Sequence, residues 1–244
     1  MELILDLGNT NQKIALFNAG QLLWVRMKKR ITLPLIRNIV EHYPGIDSCI
    51  LASVVKVPYI LRSYLEKQFR FISLDETTLL PVRNAYLTPW TLGKDRIAAA
   101  VAGSNQFPGY PVLIIIAGTA ITYDFVTDQG EYLGGAISPG MQMRFRALHT
   151  FTRQLPLLTY KDIDFLTGND TEKSILSGVI NGVTAEMEEM ISCYRKDYPG
   201  IRIILSGGDM NYFAKRLKIS IFALPNIVIN GLQQILAFND KKPL

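Results

Sequence analysis

Two short polar turns follow apolar segments of this 244-residue chain, and both could bind phosphate. The first is Asp6-Leu7-Gly8-Asn9-Thr10 with Lys13 close behind it, and the second is Gly118-Thr119-Ala120. Backbone N–H groups of a glycine turn can point at phosphate oxygens, Lys13 could balance phosphate charge, and a carboxylate such as Asp6 can hold Mg²⁺ through water. Taken alone, the first turn is more typical of a hairpin capped by an Asx turn than of a phosphate site. Its recurrence favours two turns that clamp one polyphosphate.

A third polar group, Gly93-Lys94-Asp95-Arg96, precedes the apolar helical segment from Ile97 to Gly103. Asp95 could cap the start of that helix. It could instead accept the proton of an attacking hydroxyl, while Arg96 holds an anionic group of the substrate in a bidentate fork. The residues alone do not decide between a cap and a base.

Two glycine-rich loops could bring backbone close to a ligand. Residues 134–140 (Gly-Gly-Ala-Ile-Ser-Pro-Gly) could equally be a bulge and turn, and Ser206-Gly207-Gly208-Asp209 is typical of a turn that contacts a nucleoside.

His42 and His149 are isolated, so we interpret them as structural. The sequence has no Walker A, Rossmann or protein-kinase catalytic-loop motif.

The elements that would position these turns occur twice. The first half predicts three strands, a helix, a strand and a helix, at 3–7, 13–17, 22–27, 33–43, 48–54 and 58–69. The second half predicts three strands at 112–116, 121–126 and 132–137, a helix at 172–194, a strand at 202–205, and a closing strand-turn-helix from Pro225. Gly8 to Gly20 and Gly118 to Gly130 both span twelve residues, and a shift of 110 superimposes the halves. The pattern predicts a duplicated α/β fold of mixed sheets flanked by helices, with domains 1–110 and 111–244 and a cleft between them.

Composition narrows the functional classes. The chain is 48% hydrophobic and 19% charged, which is enough apolar material for a full core. Its net charge of +5 weakly favours an anionic ligand, but no clustered basic face predicts nucleic-acid binding. Cys49 and Cys193 are too few for a disulfide scaffold or a zinc site. With acids near the N-terminus and no apolar run of about 20 residues, we expect a cytoplasmic protein without a signal peptide or membrane helix.

Together these motifs resemble the type III pantothenate kinases, also called Bvg accessory factor homologues, a branch of the actin/Hsp70/sugar-kinase superfamily with its ribonuclease H-like fold. Asp6 to Thr10 with Lys13 and Phe17 is similar to the first phosphate motif of the family. Thr88 to Arg96 resembles its Gly-x-Asp-Arg substrate motif. Similar residues also lie in the second phosphate motif and further along the chain, at 118–124, 134–140, 155–156, 169–171 and 177–178.

The resemblance implies transfer of the γ-phosphoryl group of ATP to the primary hydroxyl of pantothenate, the first step towards coenzyme A. It implies that Asp95 is the catalytic base. The implied pantothenate-binding residues are Tyr86, Gly93, Lys94, Asp95, Arg96 and Thr171. The implied ATP-binding residues are Asp6, Leu7, Gly8, Asn9, Thr10, Asn11, Gln12, Lys13 and Thr119, with Asp6 also holding Mg²⁺ through water. The family acts as a homodimer and uses a monovalent cation, K⁺ or NH₄⁺.

One position departs from the family pattern. Family members usually carry a cation-binding aspartate two residues before the glycine of the second phosphate motif, and this chain has Ile116 there. An isoleucine side chain has no oxygen to offer a hard cation. We therefore do not predict the cation site of the family in this chain, although backbone carbonyls or Asp124 could compensate for the missing carboxylate. The substitution leaves two alternatives to a pantothenate kinase: a catalytically weakened nucleotide-binding accessory or regulatory protein, and a superfamily kinase for another small hydroxyl substrate.

Overall fold

The computed structural model describes residues 1–240, which form two compact units. The first unit contains residues 1–106 together with the closing helix from Ile227, and the second contains 107–226. The sequence predicted a single boundary at 110/111 with the whole C-terminal part in the second domain. The closing helix instead packs in the first unit, so the chain enters the second unit and then returns to the first.

The elements alternate as an α/β pattern requires. The strands are β1 (Glu2–Leu7), β2 (Gln12–Asn18), β3 (Gln21–Lys28), β4 (Ser48–Ser53), β5 (Arg70–Ser73), β6 (Arg83–Asn84), β7 (Val112–Ala117), β8 (Ala120–Val126), β9 (Glu131–Pro139), β10 (Arg202–Ser206) and β11 (Phe222–Ala223). The helices are α1 (Leu33–His42), α2 (Tyr59–Gln68), α3 (Lys94–Gln106), α4 (Met141–Phe151), α5 (Thr171–Asp197), α6 (Met210–Arg216) and α7 (Ile227–Asp240). No helix within residues 1–240 has the length and apolar character needed to cross a membrane.

The two units share one sheet topology. In the first unit the strand order is β3-β2-β1-β4-β5, and in the second the order β9-β8-β7-β10-β11 repeats it. In each unit the first three strands are antiparallel, and the fourth and fifth run parallel to the first. The duplication predicted from the shift of 110 residues is therefore confirmed. Each polar turn occupies the same place, between the first and second strands of its sheet.

The core of each unit follows from the alternation of side chains along its strands. In the first unit, Leu3, Leu5 and Leu7 of β1 point into a core that Ile36 and Ile39 of α1 complete. In the second unit, alternate residues of β7 and β8 pack against one stripe of α5, formed by Ile180, Val183, Met187 and Ile191. The central strands are buried on both faces, so their ends are held rigidly. Side chains at these ends are well placed for chemistry.

Two predicted boundaries differ from the structure. Helix α3 begins at Lys94 instead of Ile97, because the carbonyl of Gly93 already accepts hydrogen bonds from the N–H groups of Arg96 (3.1 Å) and Ile97 (3.2 Å). The predicted strand after Pro225 is wrong: the short strand β11 precedes that proline, and only a helix follows it. Asn226, with a φ of 58°, makes the turn into α7.

Candidate active site

The first polar turn is a tight connection between β1 and β2. A β-carbon at Gly8 would lie 2.8 Å from the backbone oxygen of Asn11, so only glycine fits without movement of the turn. Asn9 and Thr10 are exposed at its tip. The turn is therefore tight, and its tip exposes short polar side chains.

Asp6 and Lys13 are direct partners across the β1–β2 ladder. Burial raises the pKa of Asp6 from 3.8 to about 6, the positive charge of Lys13 opposes that rise, and the carboxylate of Asp95 adds to it. Asp6 and Asp95 are far apart in the sequence, yet they lie close enough in the first unit to interact electrostatically. The candidate metal ligand and the candidate base thus belong to one group of charges.

Leu7 and Gln12, which flank the turn, point into the protein. Leu7 belongs to the hydrophobic core of the first unit. The side-chain oxygen of the buried Gln12 accepts a hydrogen bond from the backbone N–H of Ile31. The side chains of these two predicted ATP-binding residues fix the ends of the turn.

Asp95 lies in the first turn of α3, one residue inside the helix, and its side chain is exposed. Its Oδ1 atom accepts a hydrogen bond from the N–H of Arg96 at 3.0 Å. A β-carbon at Gly93 would lie 2.7 Å from that same Oδ1 atom. Glycine at 93 therefore leaves the space that the Asp95 carboxylate occupies, which explains the pairing of these two residues in the motif.

The other substrate-motif residues surround the start of α3. Arg96 is buried (5% exposed), and its Cζ atom lies 5.8 Å from the ring centroid of Tyr86, within cation–π range. Asn84 Oδ1 accepts a hydrogen bond from the N–H of Tyr86 at 3.1 Å and so fixes the segment before the motif. Lys94 borders a small cavity of about 50 Å³ with Trp90. The structure thus brings Tyr86 and residues 93–96 together in the first unit.

The second polar turn, in the second unit, is enclosed by backbone from the loop that ends β9. The N–H of Gly118 donates to the carbonyl of Ala120 at 3.0 Å, and the N–H of Gly140 donates to that of Thr119 at 3.1 Å. A β-carbon at Gly140 would lie 2.0 Å from the backbone oxygen of Gly118. Glycine at 140 is therefore needed for the close approach to the Gly118–Thr119 turn. The rest of the glycine loop predicted at 134–140 belongs to β9, so only its last residue lies outside the strand.

The loop after β10 meets the same turn from the other side. Gly207 adopts a left-handed conformation (φ of 100°), and a β-carbon there would lie 2.1 Å from the backbone oxygen of Ala117. The N–H of Asp209 donates to that oxygen at 3.0 Å. Burial raises the pKa of Asp209 above its ordinary value. Three segments flagged in the sequence thus converge in the second unit on one corner lined by backbone.

Ile116 lies beside two hydroxyl residues of neighbouring strands. Its Cα is paired with that of Thr122 on β8 and with that of Ser206 on β10. The Thr122 Oγ1 atom is buried and has no hydrogen-bond partner among the described residues. Between these two hydroxyl residues, Ile116 contributes an apolar side chain. It therefore adds no oxygen ligand for a hard cation.

Thr171, the remaining predicted substrate residue, is exposed at the start of α5, directly after Asp170. Asp170 caps the helix by accepting a hydrogen bond from the N–H of Lys173 at 2.7 Å. Thr171 borders a cavity of about 1190 Å³ in the second unit, whose walls are mainly apolar residues of α4 and α5. Thr171 lies in the second unit, whereas residues 86–96 lie in the first.

Sequence reasoning missed an ion pair in the second unit between Arg144 of α4 and Glu186 of α5. Tyr123 of β8 donates a hydrogen bond to Glu186 Oε1 at 3.0 Å. Nothing in the sequence distinguishes Glu186 from the neighbouring Glu188 and Glu189, because only packing of the two helices selects it.

Oxygen ligands for a divalent ion are sparse. Within residues 1–240, no group of three or more His, Cys, Asp and Glu side chains is arranged to hold a metal. Asp6 offers one partly buried carboxylate beside the first turn. That donor set fits Mg²⁺, which commonly keeps waters and binds one or two carboxylates together with substrate phosphate.

Comparisons with known proteins identify the family. The family model of the type III pantothenate kinases matches residues 2–193. A type III pantothenate kinase of Christiangramia forsetii is 45% identical over 240 residues, covering 98% of this chain and 99% of the relative. That of Phocaeicola vulgatus is 43% identical over 242 residues, covering 99% of this chain and all of the relative.

Solved structures agree with the predicted fold. A Baf family protein of Campylobacter jejuni matches with a TM-score of 0.60 at 22% identity, covering 98% of this chain and 100% of the other. A glucokinase from an Antarctic psychrotroph matches with a TM-score of 0.51 at 12% identity, covering 97% and 98%. At these low identities, the similarity is evidence for the fold alone. The predicted sugar-kinase type of fold is confirmed.

Proposed function

The chain belongs to the type III pantothenate kinase family, and from that premise we propose that it transfers the γ-phosphoryl group of ATP to the primary hydroxyl of pantothenate with Asp95 as the general base. The observation that carries this assignment is the match of the family model to residues 2–193, together with relatives up to 45% identical over almost the whole chain. The proximity of the Asp95 carboxylate to Asp6, whose pKa it raises, supports the assignment in the structure. It joins the substrate motif to the first phosphate turn within one unit. Phosphoryl transfer depends mainly on such positioning and on charge stabilisation.

Asp95 suits the role of a base because its carboxylate is exposed and its only described hydrogen bond comes from the N–H of Arg96. One carboxylate oxygen is therefore open to a substrate hydroxyl. In the reaction, the hydroxyl oxygen bonds to the γ-phosphorus, the bond from that phosphorus to the β,γ-bridging oxygen breaks, and the hydroxyl proton passes to Asp95. The leaving group is ADP.

Arg96 suits the role of an anchor for the pantothenate carboxylate. A guanidinium presents paired N–H donors that match the two oxygens of a carboxylate. The side chain is held by burial and by the ring of Tyr86, so binding costs less conformational entropy than it would for a free surface arginine. Gly93, Lys94, Tyr86 and Thr171 are proposed as the further substrate contacts.

The two polar turns are proposed as the phosphate-binding elements. Residues Asp6–Lys13 would contribute the β1–β2 turn with the Lys13 ammonium group, and Thr119 would contribute the turn between β7 and β8. Asp6 would hold Mg²⁺ through water. When bound, Mg²⁺ neutralises charge on the phosphate oxygens.

Because Ile116 supplies no oxygen, we propose that a monovalent cation is not bound at that position. We also propose a cytoplasmic homodimer, as the family implies.

A coupled assay of ADP release tests the activity directly. ADP release that depends on pantothenate, and a phosphorylated product identified by mass spectrometry, are the expected results. Other small hydroxyl compounds run in parallel would reveal a different acceptor. Nucleotide binding without ADP release from any acceptor would indicate the accessory or regulatory role instead. Repeating the assay with and without potassium tests the proposal about Ile116.

A further inference from the structure

Four side chains from four elements of the second unit meet beside the glycine loop. They are Tyr123 of β8, Ser138 of β9, Arg144 of α4 and Glu186 of α5. Tyr123 lies in the second phosphate motif and Ser138 in the glycine segment 134–140, whereas Arg144 and Glu186 belong to none of the motifs. They nevertheless connect the two helices of this unit to the strand whose end encloses the second phosphate turn.

Glu186 is the acceptor at the centre of this cluster. It accepts hydrogen bonds from Tyr123 and from Arg144. Burial tends to raise the pKa of Glu186, but hydrogen bonds from Arg144, Ser138 and Tyr123 outweigh it, and the pKa lies below its ordinary value. Glu186 is thus an anion at neutral pH. The side chains of Arg144 and Glu186 are only 24% and 28% exposed, so water screens the pair less than an ordinary surface ion pair.

Arg144 joins this anion to the backbone of the glycine loop. Its Nε atom donates to the carbonyl of Pro139 at 2.9 Å, and an NH2 hydrogen bond reaches the hydroxyl of Ser138 at 2.9 Å. The next residue, Gly140, donates its N–H to the carbonyl of Thr119. The carbonyl bound by Arg144 and the N–H that holds the second phosphate turn therefore belong to the same peptide unit.

From these contacts we propose that Arg144 and Glu186 are positioning residues for nucleotide binding, which hold Pro139 and Gly140 so that the Gly118–Thr119 turn keeps the geometry needed for phosphate. The proposal rests on the proposed function of that turn. Neither side chain needs to touch the nucleotide. Backbone donors bind phosphate well only when their directions are fixed in advance, so a loosened loop should weaken binding without a loss of fold.

The test compares Arg144→Gln and Glu186→Gln with the control Glu188→Gln. Glu188 lies on the same helix and accepts a hydrogen bond from the N–H of Lys218 at 3.2 Å, away from the glycine loop. Binding of β,γ-methylene-ATP with Mg²⁺ is measured by calorimetry, and the KM values for ATP and pantothenate are measured separately. We expect Arg144→Gln to weaken analogue binding and raise the KM for ATP about tenfold, the equivalent of about 1.4 kcal/mol. The KM for pantothenate should change less than about twofold.

Hydrogen exchange separates positioning from general destabilisation. In the unmodified protein, the analogue should protect the amides of residues 117–122 and of residues 6–13. In Arg144→Gln the protection should be lost at 117–122 and retained at 6–13. Glu186→Gln should act in the same direction, and it serves as the second test should Arg144→Gln fail to fold. The control should behave as the unmodified protein.

Two results would overturn the inference in distinguishable ways. Unchanged analogue affinity and retained protection at 117–122 in both cluster variants would refute the positioning role while leaving the nucleotide site intact. Absence of protection at 117–122 in the unmodified protein would refute the proposed phosphate turn, and the positioning role with it.

Discussion

Gly231 of α7 lies against the backbone of Ala98 of α3, so closely that a β-carbon at Gly231 would stand 1.8 Å from the Ala98 carbonyl oxygen. Both residues are buried. Since α3 begins at Lys94, one residue before Asp95, the contact fixes the helix that carries the proposed base. The last helix of the chain therefore supports the substrate motif of the first unit.

We expect Gly231→Ala to lower the free energy of unfolding by about 1–3 kcal/mol, the usual cost of an overpacked core. The added methyl group can be relieved only by separating α3 from α7, because the atom it meets is backbone. Urea denaturation measures the effect. Gly182→Ala is the matched control, because nothing lies within 4 Å of a β-carbon at that helical glycine. It should be neutral or stabilising by up to about 1 kcal/mol. Equal stability of Gly231→Ala and the unmodified protein would show that the helices can separate freely.

Asp95→Asn should reduce kcat by roughly 10²–10⁴-fold, the range for loss of a general base. The asparagine keeps the shape of the side chain and can still accept the hydrogen bond from the N–H of Arg96, so stability should change little. Steady-state kinetics and a denaturation midpoint on the same preparation measure both. Glu66→Gln, which removes an exposed carboxylate paired with Arg62, is the control. If folded Asp95→Asn turned over nearly as fast as the unmodified protein, Asp95 would have only a structural role at the start of α3 and would not be the base.

Asp6 should make stability depend on pH in a defined window. Its pKa is raised from 3.8 to about 6, chiefly by burial, so between these values the folded state holds more protons than the unfolded state. The contribution of Asp6 to stability is therefore greatest at low pH and is lost as the pH rises through about 6. A shift of about two units corresponds to about 3 kcal/mol. Relative to the unmodified protein, Asp6→Asn should gain stability between pH 4 and 6 and then level off.

Denaturation of both proteins across pH 3.5–8 (about 0.5-unit steps) tests this expectation, because the difference between them cancels the other carboxylates. A difference that does not change with pH would mean that Asp6 titrates as an ordinary exposed aspartate. The same variant should be a poor kinase, since it lacks the carboxylate proposed for Mg²⁺. Gain of stability and loss of activity would then come from one side chain.

Local sequence signals predicted the parts of the site that depend on neighbouring residues. The hairpin between β1 and β2 brings Asp6 opposite Lys13 because a short turn fixes the strand register. The equal spacing of the glycines in the two halves predicted the shared topology. Asp95 and Gly93 belong together because the carboxylate occupies the space that a β-carbon would fill.

Contacts between distant elements left no such signal. The return of α7 to the first unit depends on the fit of Gly231 against Ala98, and an isolated glycine in an apolar helix does not indicate its partner. The ion pair of Arg144 and Glu186 likewise forms only where α4 packs on α5. Neither residue is part of a recognisable motif. Such contacts are set by tertiary packing, which a single sequence does not reveal.

Ile116→Asp should restore an oxygen ligand beside the hydroxyls of Thr122 and Ser206, whose Cα atoms are paired with that of residue 116. We expect the rate of ADP release to rise with added potassium more strongly in this variant than in the unmodified protein, because a hard cation binds carboxylate and hydroxyl oxygens. Ile116→Asn is the matched control, since it supplies an oxygen without the charge and should respond less. Rates are compared at constant ionic strength with sodium replacing potassium. The same potassium response in all three proteins would show that any cation site lies elsewhere, and that the hydroxyls around residue 116 do not form one.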